Sequence, residues 1–252
     1  MKTAIVNRSK RLTEREIKAA IAACQLQLAT HVCPSWCVGA GAVYLVASGT
    51  KPLMGESVLL ILDDPDIDGA GGYHSEDDGV IDGKVFVSPY LDNGGTRLGI
   101  ANHPEVPSWS QALSHELIEQ LLNPNVNRWA VGPQTPQGAL YAFEACDPVQ
   151  GVGYFVEVSD PDDEHAVLSV LVSDFVLPAY FDQQAMSQLA WVQALPGPFG
   201  IAPGGYQTIS PDGISGTQVF GSRVPSWMGR LKLRSHRTQR LLSKPALQRR
   251  GL

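Results

Sequence analysis

Cysteine is scarce in this chain of 252 residues, and its spacing is irregular: Cys24, Cys33, Cys37 and Cys146 are all there are. They supply neither a disulfide scaffold nor a Cys-x-x-Cys pair, so they read as reduced thiols. No apolar run is long enough to cross a bilayer, and Met1 to Val6 lacks the extended apolar segment of a secretory signal, which predicts synthesis in the cytoplasm and no membrane partner. Glycine patterns of phosphate-binding and dinucleotide-binding loops are absent, and no Gly-x-Ser-x-Gly elbow surrounds Ser114, which excludes nucleotide and serine-nucleophile chemistry. Charged residues make up only 17%, and one sign runs out before the end: no Asp or Glu follows Asp212.

Apolar residues, at 44%, suffice for a sizeable core in one main domain. Charge is divided along the chain. All 25 acidic residues precede residue 213, whereas the last stretch holds Arg223, Arg230, Lys232, Arg234, Arg237, Arg240, Lys244, Arg249 and Arg250. A basic tail on an acidic body predicts contact with neighbouring protein subunits, nucleic acid or the body itself.

The densest chemistry is Ser114-His115-Glu116-Leu117-Ile118-Glu119, set in an apolar helical pattern. Residues four apart on a helix differ by about 40° around its axis, so His115 and Glu119 project toward one point, with Glu116 beside them. Ser108 and Gln111 stand at capping-box spacing before the helix, and Asn123-Pro124 supplies the stop. Zinc accepts imidazole nitrogen and carboxylate oxygen, and a catalytic site takes three protein ligands plus an open position. His115 and Glu119 provide two. Glu144-Ala145-Cys146-Asp147 is the best source of the third, with Glu144 as the ligand and Asp147 accepting the free N–H of a ligating histidine, or the two exchanged. Glu116, adjacent to the metal but not bound to it, would take the proton of the attacking water and pass it to a leaving amine. Manganese or iron would also suit these donors.

The rest of the chain predicts an α+β body. Residues 2–7 read as a strand. Thr13-Glu14-Arg15-Glu16 is a capping box, flanked by Leu12 and Ile17 at hydrophobic-staple spacing, and its helix runs to about His31. Residues 42–47 and 57–62 are strand-like and could be neighbours in one sheet; residues 84–87, 154–158 and 167–172 are also strand-like. The order of helix, sheet, helix and sheet suggests α+β rather than regular βαβ. Residues 1–195 form the expected domain, 196–221 a Gly/Pro-rich irregular segment, and 222–252 the basic tail.

Other candidates are His74, after a glycine-rich turn, and Tyr180, each placed to steady an oxyanion. Asp64-Pro65-Asp66-Ile67-Asp68-Gly69 opens like a calcium loop, with Asp64, Asp66 and Asp68 as alternate ligands, but Ser75 stands where an EF-hand places glutamate.

Trp36, Gly72-Tyr73-His74, Lys84 to Val87, Ser114 to Glu119, Glu144 to Val149 and Val172 to Val176 together resemble, in this order, a family of bacterial and phage-associated proteins that look like zincin-type metallopeptidases. The resemblance covers roughly residues 20–182. It implies a zincin-like mixed sheet with a metal at His115, Glu119 and Glu144 or Asp147. The chain differs in having Cys37 after the tryptophan in place of glycine, and Glu119 where ordinary zincins have histidine. Two functions are therefore expected as alternatives: a zinc-dependent metallopeptidase-like hydrolase acting on a peptide substrate with Glu116 as base, or a phage virion or other assembly protein with a zincin-like scaffold and a basic tail.

Overall fold

A short run rich in β-branched residues makes Lys2–Asn7 a strand, β1, and the Thr13 cap then starts α1 (Glu14–Gln27). Both halves of the capping box form: Thr13 Oγ1 accepts the Glu16 N–H at 3.2 Å, and Glu16 accepts the Thr13 N–H at 2.7 Å. The helical path does not stop near His31. It widens into a π-turn over Leu28–Val32 and continues as α2 (Cys33–Trp36), closed by Cys37 in the left-handed region at φ 52°. These details come from a computed structural model that describes residues 2–67, 69–77, 80–133, 138–213 and 215–222. Asp68 and the basic run from Arg223 onward lie outside the described residues.

Four strands follow: β2 (Ala42–Leu45), β3 (Ser57–Leu62), β4 (Gly72–Asp77) and β5 (Val80–Phe86). They join β1 in a sheet of order β2-β1-β3-β5-β4, parallel except for β4, which runs antiparallel along β5 at one edge. β2 and β3 thus share a sheet but are not neighbours, because β1 lies between them. Ile5, Leu59, Ile61 and Val85 on this sheet pack against Ile17, Ile21 and Cys24 of α1. A short α3 (Ser88–Leu91) leads through a loop to α4 (Trp109–Leu122), whose Trp109, Leu113 and Leu117 join the same core.

The second half of the chain surrounds the other sides of α4. β6 (Trp129–Gly132) and β7 (Ala139–Ala142) form a hairpin, and β8 (Gly153–Asp160) pairs with β9 (Asp163–Ser173) in another. Ile118 and Leu122 of α4 pack with Ala145, Val149, Phe175 and Tyr180 in a second core. The stretch from Pro196 to Gly221, expected to be irregular, contains β10 (Tyr206–Ser210) and β11 (Thr217–Phe220), which extend the β6–β7 hairpin into a sheet of order β11-β10-β7-β6. The arrangement is a mixed α+β one. Among the described residues, no helix is long and apolar enough to cross a membrane.

Candidate metal centre

Helix α4 is enclosed on almost every side, so its three ionisable residues are carried into the interior. Ser108 caps it by accepting the Ser110 N–H at 3.2 Å. Gln111 does not complete a capping box. Its amide instead donates to the Val152 carbonyl at 3.0 Å. On the side facing β9, Ser114 Oγ donates to Gln27 Oε1 at 2.6 Å and accepts the Ser173 N–H at 3.0 Å, so this hydroxyl is structural. The remaining strip presents His115, Glu116 and Glu119, exposed by 8%, 6% and 3%. Burying charge at this depth requires partners.

Partners arrive from two directions. The edge strand β4 delivers His74, and the turn after β7 delivers Glu144, Cys146 and Asp147, all of them buried. His115 Nε2 lies 3.2 Å from Glu119 Oε2 and 3.3 Å from Asp147 Oδ1. His74 Nδ1 lies 3.4 Å from Glu116 Oε2 and 3.8 Å from Glu119 Oε2, while its Nε2 faces Glu144 Oε2 at 3.8 Å. Donor atoms of His115, Glu119 and Cys146, and separately of His74, Glu116 and Glu119, converge to within 4.8 Å of one another. Glu119 belongs to both groups. The structure therefore gathers His74, His115, Glu116, Glu119, Glu144 and Asp147 in one buried cluster.

Asp147 and Glu144, whose roles the sequence leaves interchangeable, approach different imidazoles. Asp147 faces the same His115 nitrogen that faces Glu119, whereas Glu144 faces the far nitrogen of His74. Asn123, whose Nδ2 donates to Glu144 Oε1 at 3.1 Å, holds that carboxylate in place, while its Oδ1 accepts the Asn127 and Arg128 N–H groups. Glu119 is held from behind as well: its Oε1 accepts the N–H groups of Cys146 at 3.0 Å and Asp147 at 3.3 Å.

Electrostatics within the cluster follow from burial and mutual charge. Burial opposes the charged form of His74, but Glu116, Glu144 and Glu119 outweigh it and raise the imidazole to about 9. His115 is raised well above its ordinary value against the same burial cost, by Glu119 and Asp147. Burial lifts Glu119, yet His115, His74 and the Cys146 N–H more than compensate, and it stays below the ordinary range. Asp147 is lifted to about 7 by burial and by the charge of Glu119. Burial and the same two carboxylates push the Cys146 thiol well up. Four carboxylates thus face two imidazoles in a space that excludes water, and both Asp147 oxygens and His74 Nε2 lack a well-formed hydrogen bond. Such a donor set, with spare lone pairs and excess negative charge, fits a divalent cation. The donors alone do not specify which one.

Tyr180 is placed elsewhere. It sits in the apolar core against Phe181 and Phe199, and its hydroxyl donates to Gln207 Oε1 at 3.2 Å, so it packs the wall rather than steadying an oxyanion. Tyr206 of β10 lies closer, next to Asp147, whose charge joins burial in raising the phenol well up. The Asp64 region does not form a cation cluster among the described residues: Asp66 pairs with Lys84 and Tyr73, and Asp64 accepts from Ser88 at 2.8 Å. Sequence reasoning missed Cys146 as a converging donor, Asn123 as a support and Tyr206 as a neighbour. Only Cys146 carried a signal, since it lies inside the carboxylate motif. No family model, curated protein or solved structure matches the chain.

Proposed function

We propose that this protein is a zinc-dependent hydrolase of the metallopeptidase type with a zincin-like body. The observation that carries the proposal is the pair of distances from His115 Nε2 to Glu119 Oε2 and Asp147 Oδ1, 3.2 and 3.3 Å. Adjacent ligand atoms around a tetrahedral zinc, with bonds of about 2.0–2.1 Å, stand about 3.3 Å apart. On this reading His115, Glu119 and Asp147 hold the ion, and Glu144 orients His74. Zinc in that position would acidify a water and polarise a substrate carbonyl.

The chain's own residues do the rest. Glu116, one residue from His115 and facing His74, takes the proton of the attacking water and returns it to the leaving amine. His74, held between Glu116 and Glu144, keeps that carboxylate aimed at the reacting centre. Among the six side chains His115 is the most exposed, at 11%.

The test is a peptide library offered to the zinc-loaded chain, with cleavage read by mass spectrometry. Wild type should cleave, and Glu116→Gln, with its zinc retained, should be slower by roughly 10²–10⁴-fold. Undiminished cleavage by Glu116→Gln, or no cleavage by the zinc-loaded wild type, overturns the reading.

A second reading rests on the division of charge in the sequence, where nine basic residues and no acidic ones follow Asp212. In it the body is a scaffold within a phage particle or similar assembly, and the tail contacts neighbouring subunits or nucleic acid. Tight zinc with Glu116-dependent turnover favours the hydrolase. A metal-free chain that sediments as an assembly favours the scaffold.

A further inference from the structure

The zinc position assigned above uses only part of the donor set. Beyond it lies a second convergent group, His74, Glu116 and Glu119, with donor atoms within 4.8 Å of one another. His74 Nδ1 is 3.4 Å from Glu116 Oε2 and 3.8 Å from Glu119 Oε2, and the whole group is buried. Three features make this more than a cluster of acids.

First, one donor is an imidazole backed by a carboxylate on its other nitrogen: Glu144 Oε2 faces His74 Nε2 at 3.8 Å, and Asn123 fixes Glu144 in turn. This is how proteins orient a metal-binding histidine. Second, His74 Nε2 is buried without a well-formed hydrogen bond, in a residue only 6% exposed. Third, the charges do not balance with one ion. Glu116, Glu119, Glu144 and Asp147 are four buried carboxylates, and one divalent cation together with a protonated His74 still leaves negative formal charge among them, whereas a second cation in place of that proton cancels it.

We propose that the cluster has a second, regulatory site for a divalent cation, formed by His74, Glu116 and Glu119, with Glu119 bridging the two ions. The proposal rests on the hydrolase reading and adds its regulation. Because Glu116 is both the base and a ligand of the second ion, a cation seated there occupies the lone pair that would accept the water's proton. Excess zinc therefore inhibits the enzyme by binding to its base, with the first ion kept in place. The first site binds more tightly, since it keeps its ligands without engaging Glu116.

The experiment is a titration of the full chain with zinc chloride, followed by calorimetry and by native mass spectrometry. Wild type should show a tight event followed by a weaker one, with two ions per chain at excess. His74→Gln should keep the tight event and lose the weak one. Glu144→Gln, which leaves every ligand in place, should weaken the second event by roughly 10–100-fold, and it keeps the test valid if His74→Gln folds poorly. A single event in wild type, or a second event unchanged in both variants, overturns the second site and leaves the hydrolase reading standing. No event at all overturns both.

Discussion

The Cys146 N–H donates to Glu119 Oε1 at 3.0 Å, so the carboxylate facing both imidazoles is gripped from behind by the turn that carries Asp147. Glu119 therefore does two jobs, one through each oxygen. Its Oε1 binds backbone and its Oε2 faces the cluster.

The two jobs separate by substitution. Glu119→Gln keeps an oxygen to accept the Cys146 and Asp147 N–H groups, so it should fold close to wild type yet bind zinc far more weakly. Glu119→Ala leaves both buried N–H groups without an acceptor and should lose on the order of 1–3 kcal/mol as metal-free protein. Urea unfolding of the two variants, each stripped of metal, checks this ordering.

Gly72 lies where β4 approaches α4. A Cβ there would stand 2.8 Å from Glu116 Oε1 and 3.0 Å from its Cγ, with the Lys84 carbonyl at 3.1 Å. Gly72→Ala should therefore push Glu116 off its position while leaving His115 and Asp147 in place. The expected outcome is lost turnover with the first zinc retained, and a stability cost of about 1–3 kcal/mol from overpacking. Metal content and peptide cleavage measured on the same preparation decide it.

Ser114 gives the opposite pattern. Its hydroxyl ties Gln27 to the Ser173 backbone, joining α1, α4 and β9. Ser114→Ala should destabilise the fold by about 1–3 kcal/mol while leaving zinc content unchanged, as read by thermal unfolding and metal analysis. Loss of cleavage with unchanged stability would instead make this serine a participant in the chemistry.

A pH effect is expected at the start of α1. Arg15 donates to both oxygens of Asp160, from Nε at 2.8 Å and from a terminal nitrogen at 2.5 Å. That pair, with the Asp162 N–H, depresses Asp160 to about 2 from an ordinary 3.8. A depressed carboxyl stabilises the fold above its unfolded value, and that contribution fades as pH falls from about 4 through about 2. The melting temperature of Asp160→Asn should therefore lie below that of wild type at pH 6, with the gap narrowing as pH falls toward 3. A gap independent of pH contradicts this.

Helix α4 was legible because its apolar positions recur at helical spacing between a serine cap and Asn123-Pro124. β1 and β3 were legible because each is a short run of apolar and β-branched residues. What failed was pairing. Strand propensity names no partner, and β1 came to lie between β2 and β3, which runs of branched residues alone do not reveal. β10 and β11 were hidden because they are short and sit among glycines and prolines, which bias a reading toward loop. At the site, spacing on one helix identified His115, Glu116 and Glu119. The roles of Glu144 and Asp147 could not be separated, since only the approach of β4 shows that Glu144 meets His74. In the sequence Asn123 shows only as a helix stop, because its side-chain contact, with Glu144, is made across 21 residues.

The buried cluster on α4 is proposed to hold a metal. The most direct test is the zinc content of freshly purified chain by mass spectrometry, comparing wild type with His115→Ala and Glu119→Gln under matched folding conditions. One tightly held zinc per chain, lost in both variants, is the predicted result. No bound metal in wild type and no uptake of added zinc would mean that the cluster is not a metal site.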